Sequence, residues 1–258
     1  MQVTGIGRVI FWGGGNLWIG LAVDPVPLHA HHAIQIAIGF EAPVEFRPGP
    51  ASPWTSYPRG ALIRPSVPHE FRAPGRRVAN ILFEPESELG RALLERYAGS
   101  GIVALDGDVR SLAGAYDDAA DDEVLVDEVM ALISRLAGGL VPRRATDPRA
   151  LRAIRWIGAH LDEPLSLADL AQVVGLSQGR TRHLFVAETG IAFRRYVLWA
   201  RLNRALELGF SGTSWTEAAH ATGFADSAHL TRTCRRMYGL VPTSVKIEDT
   251  TLAGQRIA

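Results

Sequence analysis

The sequence has one cysteine, Cys234, among 258 residues. A single thiol excludes an internal disulfide framework and any multi-cysteine metal site. No apolar run approaches the roughly 20 residues that span a bilayer. No charged N-terminal region leads into a long apolar stretch, so no leader peptide is expected and the cytoplasm is the expected compartment. The glycine-rich FWGGGN lacks the Gly-Lys-Ser/Thr ending of a phosphate-binding loop. No Ser/His/Asp set stands out by spacing, so neither catalytic residues nor an enzyme is expected. Net charge is also missing: 27 basic side chains balance 27 acidic ones.

That balance hides a split. Residues 1–142 carry a net charge of −6, and residues 143–247 carry +7. The second half has the sign needed to meet a phosphate backbone. With 47% hydrophobic residues, each half can build its own core. Residues 6–84 read as short strands broken by Gly/Pro clusters such as RPGPASP, the pattern of a β-sandwich or barrel. In AIQIAIGF (33–40), Ile34, Ile36, Ile38 and Phe40 alternate with Ala33, Gln35, Ala37 and Gly39. From about residue 86 the period becomes helical. Leu125, Val129, Leu132 and Leu136 form one helical stripe, which predicts weak self-association through 120–138 or packing on the barrel. The turn-rich VPRRATDP (141–148) coincides with the charge switch and sets expected domains of 1–142 and 143–258.

Beyond that switch the pattern is helical, with expected helices at about 148–161, 166–174, 178–189, 192–208, 215–222 and 226–238 and a short one from 242. Gly175, Gly209, Gly223 and Gly239 are read as helix-ending glycines. Two segments repeat at an offset of 48 residues: LADLAQVVGLSQGRTRHLF (167–185) and WTEAAHATGFADSAHLTRT (215–233). Both have Ala-x-x-x-Gly-apolar: Ala171, Gly175 and Leu176, then Ala219, Gly223 and Phe224. The alanine lets two helices cross closely and the glycine takes the left-handed turn. The apolar residue plugs the gap, leaving the next helix with a free face. That is a helix-turn-helix, present twice.

Residues 148–246 resemble the DNA-binding domain of the AraC/XylS transcription regulators. The resemblance rests on LSLADLAQVVGLS, RHLFVAETG (182–190), FRRYVLWARLNRALEL (193–208) and GF-x-D-x-x-H-x-x-R…G-x-x-P-T (223–243). Leu230 and Cys234 replace aromatic residues usual in the family, Thr181 an apolar one, and Val245-Lys246 the usual Tyr-Arg. The resemblance implies an α+β, two-domain chain. A cupin-like β-barrel with a helical segment would precede an all-α domain carrying two helix-turn-helix units. It makes 178–189 and 226–238 recognition helices. Arg182, His183, Ser227, Ala228, His229 and Arg232 match family positions that contact bases. Gln178, Arg180 and Arg236 are further candidates, and Arg195 is expected on phosphate. The implied partners are double-stranded DNA, a small-molecule effector in the barrel and RNA polymerase, with no cofactor.

The first half also offers histidines. Two His one residue apart on a strand share a face. His29 and His31, with His69 and Glu41, could therefore ligate a metal in a cupin-type barrel. Ordinary core or surface histidines, or residues bordering an effector pocket, are the preferred reading. The alternative function to a regulator is a cupin-type metalloenzyme with an accessory helical domain.

Overall fold

A computed structural model describes residues 3–99, 101–107, 109–116 and 121–252. By its internal contacts the chain divides into two units: residues 1–142 with 234–258, and residues 143–233. The sequence expectation grouped 234–258 with the basic half. It is drawn to the barrel unit because the segment after Pro242 is a strand, not the expected helix. Val245–Leu252 pairs in parallel with Gly5–Trp12, after a 3-10 turn over Pro242–Ser244. Val245 and Ile247 are β-branched and suit a pleated strand. The pairing moves the edge of the sheet from the Gly5–Trp12 strand to the Val245–Leu252 strand.

The barrel unit has two sheets. Its strands are β1 (Gly5–Trp12), β2 (Gly15–Ala22), β3 (Val26–His29), β4 (Ile34–Gly39), β5 (Val44–Arg47), β6 (Thr55–Tyr57), β7 (Ala61–Ile63), β8 (His69–Arg72) and β9 (Arg76–Phe83). Then come α1 (Glu88–Arg96), β10 (Ile102–Ala104), α2 (Arg110–Ala115) and α3 (Asp122–Ala137), and at the chain's end β11 (Val245–Leu252). One sheet has the order β10-β7-β4-β9-β2-β1-β11 and the other β3-β8-β5-β6. β4 is buried on both faces. Ile34, Ile36 and Ile38 join the helices in one core. Ala37 belongs to a second core with Val44, Phe46, Ile63 and Phe71.

Leu125, Val129, Leu132 and Leu136 of α3 are all buried and share the first core with Ile10, Leu17 and Ile81. The stripe therefore packs on its own barrel, and the self-association expected through it has no surface there. Residue Val124, outside the stripe, is exposed instead.

In the helical unit, Asp147 caps α4 (Pro148–Ala159), which starts on proline. Ser166 caps α5 (Leu167–Val174) and Ser177 caps α6 (Gln178–Thr189). The long α7 (Phe193–Phe210) leads to α8 (Trp215–Ala221), which opens with a capping box from Ser214 and Glu217. The chain continues into α9 (Ser227–Tyr238). Ile157, Leu170, Phe185, Phe193 and Tyr196 centre the core around α4 to α7. Trp199 is buried, while Trp156 and Trp215 are half-buried. Gly209, read as a helix-ending glycine, lies inside α7. A Cβ there would come within 2.1 Å of the Trp215 ring, so glycine makes room for that indole and α7 runs on to Phe210.

Candidate DNA-binding interface and the barrel histidines

The two helix-turn-helix turns are built alike. Gly175 and Gly223 have positive φ, 69° and 72°, a conformation that costs a Cβ-bearing residue and costs glycine little. The N–H of Leu176 donates to the Ala171 carbonyl at 3.0 Å, and the N–H of Phe224 to the Ala219 carbonyl at 2.9 Å. Each bond spans five residues backwards, closing a Schellman turn. Ala171 and Ala219 are buried. The following helix is then started by a cap. Ser177 Oγ accepts from the Arg180 N–H at 3.4 Å, and Asp226 Oδ1 from the His229 N–H at 2.6 Å.

On α6 Gln178, Arg180, Arg182 and His183 are among the exposed residues, whereas Thr181 and Phe185 point inward. The Thr181 hydroxyl donates to the Ser177 carbonyl at 3.0 Å; this lets a polar residue occupy a core position. Ala228 and Arg232 are exposed on α9, and Ser227 and His229 are partly so. The His229 ring stands edge-on to Phe224 at 5.1 Å. Leu230 and Cys234 are buried, and burial pushes the Cys234 thiol up to about 12. Arg236 is exposed in the last turn of α9, in the part that groups with the barrel unit. Arg194 and Arg195 are exposed at the start of α7. Arg204 pairs with Glu207 at 2.7 Å.

Arg201 differs from these. Its Nε donates to the Leu161 carbonyl at 2.8 Å, Nη1 to Gly223 at 3.1 Å and Nη2 to Glu163 at 2.7 Å. One guanidinium thus ties the chain after α4 to the turn between α8 and α9. Nothing in the sequence spacing sets Arg201 apart from Arg194, Arg195 and Arg204 on the same helix. Its only outward sign is that the turn glycine has room for no Cβ: one at Gly223 would lie 2.7 Å from the Arg201 guanidinium carbon.

In the barrel, His29, His31 and His69 come together, and Glu41 does not. Glu41 is exposed and pairs with Arg77 at 2.8 Å. The β4 pleat instead brings Gln35 into the group. Its Oε1 lies 3.0 Å from His31 Nε2 and 3.1 Å from His69 Nε2, and its Nε2 donates to Asn80 Oδ1 at 2.9 Å. The three imidazoles are 8%, 4% and 0% exposed. Burial, aided by the neighbouring His31, lowers His29 to about 3, and burial likewise lowers His31 and His69. All three are therefore neutral at physiological pH. A glutamine inside a strand with two buried faces was the signal available in AIQIAIGF.

A barrel unit joined to a helical unit with two helix-turn-helix turns, each followed by an exposed polar helix, defines a DNA-binding regulator. The comparisons with known proteins agree. The helix-turn-helix domain family matches residues 170–246. "Probable transcriptional regulator LumQ" of Photobacterium leiognathi is 25% identical over 224 residues, 83% of this chain and 90% of that protein. The HTH-type transcriptional activator RhaS of Escherichia fergusonii is 32% identical over 102 residues, 39% of this chain and 37% of its own length. This chain thus spans little more than a third of RhaS. The crystal structure of ToxT from Vibrio cholerae O395 shares the fold, with a TM-score of 0.58 at 12% identity over 89% of this chain and 95% of that one. The helix-turn-helix match and the likeness to LumQ make the chain a helix-turn-helix DNA-binding transcription regulator, similar to the AraC/XylS regulators. Among the described residues, no helix is long and apolar enough to cross a membrane.

Proposed function

We propose that both helix-turn-helix units read DNA, and that a small molecule held by the barrel unit governs that reading. The observation that carries the first part is the repeated turn. Two superposable hydrogen-bond patterns at Gly175 and Gly223 each present the N-terminal residues of a helix outward. Small or polar side chains there allow close approach to base edges in the major groove. α6 supplies Gln178, Arg180, Arg182 and His183; α9 supplies Ser227, Ala228, His229 and Arg232, with Arg236 further along. Arg195 takes a phosphate. RNA polymerase is the partner through which a bound regulator would act, and the cytoplasm is where it would do so.

The effector reading has its own support. ToxT from V. cholerae, which has the same fold, has been solved with an unsaturated fatty acid bound. In this chain's barrel unit a cleft of about 590 Å³ is lined by Ile38, Phe40, Pro43, Pro58, Arg59 and Val109. Its size suits a small organic molecule, and Arg59, Glu41 and Asp106 give its lining charges of both signs.

The test is titration of the full chain against a library of single-base operator changes at several salt concentrations. Arg182→Ala is expected to cost about 1–3 kcal/mol and to relax preference at one base position. Arg195→Ala is expected to weaken every sequence alike and to lower the salt slope by about one. If Arg182→Ala weakens all sequences equally, α6 does not read bases and the assignment fails.

A further inference from the structure

We propose that His29, His31 and His69, with the side-chain oxygen of Gln35, form a binding site for a divalent transition metal of the zinc type. The site goes beyond DNA reading and would stand whichever organic effector the barrel takes. Three observations converge on it.

The first is proximity. One ring nitrogen from each histidine lies within 4.8 Å of the other two, and the rings of His29 and His69 are 4.1 Å apart. Tetrahedral ligation at ~2.0–2.1 Å needs nitrogen–nitrogen separations of about 3.4 Å. Side-chain closure of about an ångström supplies that.

The second is tautomer control. Each Nδ1 faces a backbone carbonyl: His29 that of Pro27 at 2.8 Å, His31 that of Ala33 at 3.1 Å, His69 that of Val67 at 3.0 Å. An N–H donated to each carbonyl leaves Nε2 as the lone-pair atom in all three rings. Metal-ligating histidines are held by such a bond on the nitrogen opposite the metal.

The third is an electrostatic mismatch. With Nδ1 protonated, His31 Nε2 and His69 Nε2 are both acceptors, yet both point at one further acceptor, Gln35 Oε1, at 3.0 and 3.1 Å. A neutral imidazole has one N–H and cannot satisfy both of its contacts. A cation among the three atoms resolves the repulsion. The rival is an amide turned end for end, with Gln35 donating to both rings and Asn80 turned to match. That rival is a closed network with no use for metal.

The donor set favours the metals that accept imidazole, Zn²⁺, Co²⁺, Ni²⁺ or Cu²⁺, over the oxygen-seeking Mg²⁺ and Ca²⁺. Buried cover completes the site. The His31 ring is 6.2 Å from that of Tyr238, and a Cβ on Gly239 would come within 2.8 Å of His29 Nδ1.

The probe is Co²⁺ added to the full chain, freed of any affinity tag and stripped with chelator. The expected result is one equivalent bound per chain, with the visible absorption of a low-coordinate cobalt that Zn²⁺ then displaces. His69→Ala is expected to lower the affinity more than about tenfold. Gln35→Glu, which keeps the side-chain shape and adds a charged oxygen ligand, should tighten binding. Both variants are to be checked for native circular dichroism. Should His69→Ala unfold, the wild-type stoichiometry and Gln35→Glu decide alone. Wild-type protein that takes up no Co²⁺, or a Gln35→Glu variant that is folded and binds none, would overturn the site in favour of the closed amide network. Neither outcome bears on DNA reading, which the operator titration tests separately.

Discussion

Arg201→Ala is expected to destabilise the helical unit by about 2–4 kcal/mol. Each bond from a charged donor contributes roughly 1.5–3 kcal/mol, and a buried carbonyl left alone adds a desolvation cost. Arg201 makes three such bonds, to Leu161, Glu163 and Gly223, and the one to Glu163 is at the surface, which lowers the total. Arg201→Lys should recover only part of the loss, because an ammonium cannot reproduce the planar fork that reaches all three carbonyls. The unfolding midpoint in urea, with an unchanged slope, checks this. DNA affinity should fall as well, since the tether at Gly223 sets the turn that presents α9. An Arg201→Ala chain of wild-type stability but lower salt dependence of DNA binding would mean that this arginine faces phosphate instead.

The second large effect is that of acid on the metal-free barrel unit. His29 titrates at about 3 in the fold against 6.5 when unfolded, chiefly through burial and secondly through His31. His31 and His69 are lowered too, again mainly by burial. The rings are faced by one another, by Gln35 and by the rings of Phe46 and Tyr238, and His32 adds to the lowering of His31. The unfolded chain then binds protons that the folded chain refuses. Stability is complete above pH 6.5 and is lost as pH falls from there towards about 3. His29 alone would take away on the order of 2 kcal/mol by about pH 5, before most carboxylates titrate. Urea unfolding of chelated protein across that range should show it, and His29→Gln should flatten the upper part of the curve. A stability independent of pH between 6.5 and 5 would show that the rings are reached by water.

How much was legible in the residues depends on how local the cause was. The helix-turn-helix pair was readable because an alanine, a glycine and an apolar residue at fixed spacing leave one way to turn. Ser166, Ser177 and Ser214 cap as serines do. The errors lie where a distant partner decides. The stripe Leu125 to Leu136 says that a helix has an apolar face; only the fold says that the face meets Ile10 and Ile81. Gly209 has the composition of a helix end, yet a ring six residues later explains it. Glu41 was chosen for its charge, whereas the pleat of β4 delivers Gln35. The final strand was missed because its partner, β1, lies at the other end of the chain.

The central claim is that one chain reads two major grooves. α7, 18 residues long, spans about 27 Å. With the width of a helix-turn-helix on each side, α6 and α9 would then lie near the ~34 Å of one DNA turn. The most direct measurement is selection of bound sites from a random DNA pool by the full chain, followed by footprinting of the enriched sequences. The account predicts an asymmetric site: two short preferred blocks, centred about one helical turn apart and protected on one face of the duplex. Enrichment of a single block, or of no sequence at all, would contradict it.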